Sequence, residues 1–110
     1  MKIWFQALSP NPNIDPVWRS YDEACLRYVP TLARPGTQIH FASTDTRAPK
    51  MVLSNNVKYL HLAQVIENAI KAEREGYDAF VIGHFQDAGL YEARSAVGIP
   101  VVALGEASTV

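Results

Sequence analysis

Asp78-Ala79-Phe80-Val81-Ile82-Gly83 is a short apolar run set between two helical patterns. Before it, Leu62, Val65, Ile66, Ala69 and Ile70 recur on one helix face, with Lys71, Glu73, Arg74 and Glu75 on the other side and Gly76 as a stop. After it, Leu90, Ala93 and Val97 mark a further amphipathic helix, which Asp87 is expected to cap and Gly98 to close. A run of this length without alternation, held between helices, predicts a strand buried on both faces of a parallel sheet.

The same grammar extends to both ends of the chain. Residues 3–8 are nearly all apolar and end at Ser9-Pro10-Asn11-Pro12-Asn13, a turn-forming cluster. Asp15 offers a cap and Pro16 suits the first helical position. Val17, Tyr21, Ala24, Cys25 and Tyr28 then follow at helical spacing and are expected to form the packed face of helix one. After the turn at Arg34-Pro35-Gly36, residues 37–43 alternate, as a half-exposed edge strand does. Residues 44–56 show no period and read as a lid loop. Residues 100–104 supply a fourth strand, and Gly105-Glu106-Ala107-Ser108 begins another helix.

The order β-α-β-α-β-α-β, with no internal repeat, predicts an α/β fold: a doubly wound, parallel four-stranded sheet of order 2-1-3-4, a single flavodoxin-like lobe over residues 1–110. Helix one lies on one face of the sheet in this scheme, and helices two and three on the other. One helix cannot cover four strands, and strand four keeps an open apolar edge. A second lobe or self-association is therefore expected to complete the fold.

Composition excludes several classes of function. The chain has 110 residues, 10 Lys+Arg against 11 Asp+Glu, and no basic run, so it lacks the footprint of a nucleic-acid or anionic-membrane binder. Its single cysteine, Cys25, rules out an internal disulfide. No stretch reaches the length of a membrane span, and the apolar start is too short for a signal peptide, which points to a cytoplasmic protein. His40, His61 and His84 fall on separate elements without a ligand-spaced partner, so no metal is expected, and no phosphate-binding glycine loop is present.

In an open α/β sheet, ligands sit beyond the carboxyl ends of the strands where the strand order reverses. Here that point gathers residues 9–13, residues 84–87 and Gly105-Glu106. Each segment leads into a helix start whose N–H groups favour an anion, which suggests a small anionic or imide-like ligand. Asn11, Asn13, Phe85, Gln86, Asp87, Gly105 and Glu106 are the candidate binding residues, and His84 is the candidate acid/base. The plainer alternatives are a hydrogen-bonded core histidine, turn-forming asparagines and a capping Asp87. His40 and His61 read as solvated or locally bonded, and Tyr21, Tyr28, Trp4 and Phe5 as packing.

Val81-Ile82-Gly83-His84-Phe85-Gln86-Asp87-Ala88-Gly89-Leu90, followed by Ala93-Arg94 and by Ile99-Pro100-Val101-Val102-Ala103-Leu104-Gly105-Glu106-Ala107, resembles the aspartate/glutamate/hydantoin racemase superfamily, most closely its hydantoin racemase branch. Asn11-Pro12-Asn13 is similar to that branch's element after its first strand. The resemblance implies two similar lobes around a cleft, with no metal and no pyridoxal cofactor. It further implies a cysteine from each lobe, one taking the proton from the substrate α-carbon and the other returning one on the opposite face. Cysteine suits that work because its pKa near 8.5 is readily lowered at a helix N-terminus.

Two departures stand out. His84 occupies the position that would hold the first cysteine, and residues 1–110 span roughly half of the family's extent, without the second. Cys25 is no substitute if it packs inside helix one. The leading expectation is the N-terminal lobe of a cofactor-independent isomerase, inactive by itself, acting beside a carbonyl of a hydantoin or amino-acid-like substrate. The alternatives are a decarboxylase or cis-trans isomerase of the same superfamily, or a non-catalytic lobe that binds a small carboxylate or a partner.

Overall fold

The structure is a computed structural model and describes residues 1–10, 16–44 and 55–109. Four strands, β1 (Lys2–Pro10), β2 (Gln38–Thr44), β3 (Ala79–Ile82) and β4 (Val101–Ala103), form one sheet in the order β2-β1-β3-β4. Every pairing is parallel. The helices are α1 (Arg19–Tyr28), α2 (Asn55–Arg74), α3 (Leu90–Ala96) and α4 (Leu104–Ser108). The sheet order and the α/β class are those the sequence predicts. β1 runs two residues past its expected end, because a register shift after Gln6 lets Pro10 pair with Thr44. Irregular pairing of this kind is where a strand accommodates proline.

Trp4, Phe80, Ile82, Val101 and Ala103 lie on one sheet face and are buried against Val65, Ala69 and Ala72 of α2 and Leu90 and Ala93 of α3. Burying a side chain the size of Phe80 or Ile82 contributes about 1.5–3 kcal/mol. α2 ends where Gly76 turns to φ 81: Tyr77 N–H donates to Ala72 O across 3.0 Å and Gly76 N–H to Glu73 O across 3.1 Å, satisfying the last carbonyls of the helix.

Gln6 is fully buried on the same face. Its Oε1 accepts from Trp4 Nε1 (3.0 Å) and Asn68 Nδ2 (2.8 Å), and its Nε2 donates to Ala7 O (2.9 Å). This polar knot ties β1 to α2 inside an otherwise apolar layer. His61 is also buried, contrary to the solvated reading, because it sits one turn before Val65 on the inward side of α2. Burial holds its imidazole below the ordinary value of 6.5.

The opposite sheet face carries Ile3, Phe5, Ile39, Phe41, Val81 and Val102 in adjacent registers. Val102 is 41% exposed, and the other five are only half-buried. β3 is therefore covered on one face and not on both, because α2 and α3 pack on the same side and α1 packs chiefly against its own flanking 3-10 turns. α1 itself turns differently from expectation. Asp22 is its buried residue, with Trp18, Cys25 and Val29 half-buried on the same side, while Val17, Tyr21, Ala24 and Tyr28 face out. The apolar spacing placed the inward face one position off. Among the described residues no helix is long and apolar enough to cross a membrane.

Candidate functional site

β3 ends at Ile82, and Gly83 continues it by donating its N–H to Gln6 O across 2.8 Å. Gly83 is buried beneath the Phe5 ring, which a Cβ at this position would overlap. The absence of a side chain here lets the chain leave the sheet beside β1, where the strand order reverses, and delivers His84 there. His84 is half-buried, and its Nδ1 accepts the backbone N–H of Gln86 at 3.1 Å. An acceptor at Nδ1 places the proton of the neutral ring on Nε2, which in this arrangement is a donor; Nε2 can take up a proton only in the other tautomer, with the Gln86 contact opened.

Asp87 forms the corner after His84. Its backbone is left-handed at φ 54, its N–H donates to His84 O (3.4 Å), and its carbonyl accepts from Leu90 (3.1 Å). Contrary to expectation, its side chain does not cap α3; Gly89, at φ 85, holds that position. The Asp87 carboxylate instead crosses to the next loop, where Oδ1 accepts the Gly105 N–H at 2.8 Å in the first turn of α4. A Cβ on Gly105 would overlap both the Phe85 carbonyl oxygen and this carboxylate, so the two loops interlock through a residue without a side chain. The α4 start is thus supplied with a carboxylate by the chain itself, which occupies one N–H of the anion site the sequence suggests there.

Glu106 is held as firmly. Arg94 on α3 grips it with Nη1 at 3.0 Å and Nη2 at 2.6 Å, and donates from Nε to Val101 O at 3.1 Å. The paired hydrogen bonds raise the Arg94 pKa above its ordinary value and hold the Glu106 carboxyl below the usual range. In the sequence Arg94 stands out only as part of the family-like segment, with no task attached to it. The signal was an arginine on the polar side of α3 followed by an acid at the next helix start, twelve residues on, and only the turn through β4 brings them together.

An open groove of about 470 Å³ runs along this rim, lined by Phe85, Asp87, Tyr91, Gly105, Glu106, Ser108 and Thr109. A smaller depression of about 260 Å³, beside Gln86, Asp87 and Ala88, adjoins it. Phe85 is 71% and Tyr91 74% exposed, two aromatic rings at the groove. The structure thus brings together Phe85, Asp87, Gly105 and Glu106, with His84 and Gln86 on the same turn. Asn11, Asn13, Asp15 and most of the expected lid fall outside the described residues; of that lid, Thr44 belongs to β2 and Asn55-Asn56 to α2. Cys25 is remote in sequence from this rim and half-buried on α1 beside Tyr21, whose hydroxyl pKa is pushed up by partial desolvation and by its hydrogen bond to Cys25. Among the described residues no group of three His, Cys, Asp or Glu side chains could hold a metal ion.

Residues 19–110 match the sequence profile of the Asp/Glu/hydantoin racemase family. The chain belongs to that family. A hydantoin racemase from Pseudomonas sp. (strain NS671) is 42% identical over 76 residues, covering 69% of this chain and 30% of the relative. Among solved structures, the allantoin racemase from Klebsiella pneumoniae superposes with a TM-score of 0.66 over 98% of this chain and 41% of its own, at 21% identity. The chain therefore has a racemase-family fold and spans less than half the length of either relative.

Proposed function

We propose that these residues form the N-terminal lobe of a cofactor-independent racemase that moves a proton at the carbon α to a carbonyl, in a hydantoin-like substrate. Removing that proton leaves an enolate, and a proton returned to the other face inverts the centre. His84 serves one face as acid/base: held on Nδ1 by Gln86 it can donate from Nε2, and it accepts the α-proton at Nε2 only after its own ring proton has moved to Nδ1 and the Gln86 contact has opened. The observation that carries this reading is the place of His84, which follows Gly83 directly at the strand-order reversal between β1 and β3. The opposite face needs a second acid/base from outside residues 1–110, a thiol by family resemblance.

Asn11, Asn13, Phe85, Gln86, Gly105 and Glu106 are assigned to binding. Arg94 takes two of the Glu106 carboxylate's roughly four acceptor positions, so the remainder can receive a ring N–H. With Asp87 on the Gly105 N–H and Glu106 beside it, the described rim offers more acceptors than open donors. That balance favours an N–H-bearing imide ring over a free carboxylate. The half-covered sheet face is assigned to a second lobe or a second copy.

The test is to incubate the intact protein with enantiopure 5-substituted hydantoins in D2O. Racemisation with deuterium at the α-carbon supports the reading, and the absence of both refutes it. Carbon dioxide release or cis-trans isomerisation without racemisation would identify another reaction of the superfamily.

A further inference from the structure

We propose that Asp87 is a positioning residue, which locks the His84 turn to the first turn of α4 and so fixes where the His84 ring stands. Three independent features meet at it. Asp87 is the one non-glycine residue with positive φ among the described residues, at 54°, a conformation that an aspartate tolerates better than most side chains. That corner aims the carboxylate away from α3, which it would otherwise cap, and onto the Gly105 N–H at 2.8 Å. Gly105 in turn has no Cβ, and only this permits the Phe85 carbonyl and the Asp87 carboxylate to close on it.

α4 is braced a second time. Arg94 clamps Glu106 from α3 and also holds the Val101 carbonyl of β4. α4 is therefore fixed against the α3–β4 layer, and Asp87 is the side-chain link from that fixed body back to the His84 turn. Asp87 donates its N–H to the His84 carbonyl, at 3.4 Å, so a shift of Asp87 carries His84 with it. A proton relay is sensitive to such shifts: a displacement of about 1 Å costs on the order of 100-fold in rate.

The activity part of the test rests on the racemase reading; the hydrogen-exchange part does not. Two substitutions in the intact protein separate the roles of this residue. Asp87→Gly keeps the left-handed backbone and deletes the carboxylate, whereas Asp87→Asn keeps an acceptor oxygen and removes the charge. For Asp87→Gly, Gly105 amide exchange should quicken by about tenfold or more. Its kcat for racemisation should fall by about tenfold or more with KM within about threefold. Asp87→Asn should stay close to wild type in all three.

Unchanged Gly105 exchange or unchanged kcat in Asp87→Gly overturns the proposal. So does a rise in KM alone, which would make Asp87 a binding group. An Asp87→Asn protein that loses kcat as fully as Asp87→Gly while Gly105 stays protected would make Asp87 a charge or acid at the reacting centre. If the wild-type protein does not racemise its substrate, the racemase reading fails and the exchange data alone decide whether the lock exists.

Discussion

The backbone N–H of Gln86 donates to Nδ1 of His84 across 3.1 Å, so the turn that carries the histidine also sets its tautomer. Nitrogen-15 NMR of the imidazole at a pH where it is neutral should show the proton on Nε2. An Nδ1–H signature would contradict the geometry of the turn. Replacing Gln86 by proline removes the donor and should mix the tautomers.

Gly83 lies beneath Phe5, and Phe5 stacks on Phe41 with ring centroids 5.2 Å apart. Gly83→Ala can be accommodated only by pushing the Phe5 ring off its partner. A loss of about 1–3 kcal/mol in urea unfolding is expected, as for other overpacked sites. Gly83→Ala combined with Phe5→Leu should recover part of that loss. A Gly83→Ala protein of wild-type stability would show that the ring is not confined.

Gln6→Leu should destabilise the lobe even though it places an apolar side chain in an apolar layer. The Trp4 indole N–H and the Asn68 amide would both lose their acceptor, and Trp4 is only 3% exposed. A buried donor left unmet costs about 1–3 kcal/mol. In a double-mutant cycle with Trp4→Phe, the two losses should be less than additive; strict additivity would mean the bond contributes nothing.

His61 makes stability depend on pH in a defined direction. Burial lowers its folded pKa below the ordinary 6.5, so the unfolded chain binds a proton more readily than the folded one. Its contribution is intact above pH 6.5, declines as the pH falls below that value, and reaches its full loss once the pH is under the folded pKa. Denaturation curves of wild type and His61→Asn between pH 8 and 5 should converge as the pH falls (about the range over which histidine titrates). Parallel curves would exclude His61 as the source.

The sheet order was legible because apolar runs, glycine stops and helical spacing at residues 62–83 agree with one another, and right-handed crossovers leave few topologies. The turn at His84 was legible from position and from family resemblance. What the sequence could not convey depends on contacts between distant residues. Asp87 looks like an α3 cap until its positive φ sends the carboxylate to Gly105, eighteen residues on. Arg94 and Glu106 meet only because β4 returns the chain between them. On α1, aromatic and aliphatic spacing suggested the face of Tyr21 and Tyr28, yet Asp22 is the residue turned inward. Gln6, the polar residue inside the nearly apolar run of residues 3–8, is the centre of a buried hydrogen-bond knot that only the fold reveals.

The central claim is that His84 exchanges the proton on one face of the substrate. Stereochemically resolved deuterium wash-in from D2O tests it most directly, with the intact protein and its His84→Asn variant supplied with each enantiomer separately. The variant should stop racemising and still wash deuterium into one enantiomer with retention, through the acid/base on the other face. It should leave the second enantiomer unlabelled. Wild-type racemisation by His84→Asn, or undiminished wash-in into both enantiomers, would contradict the claim.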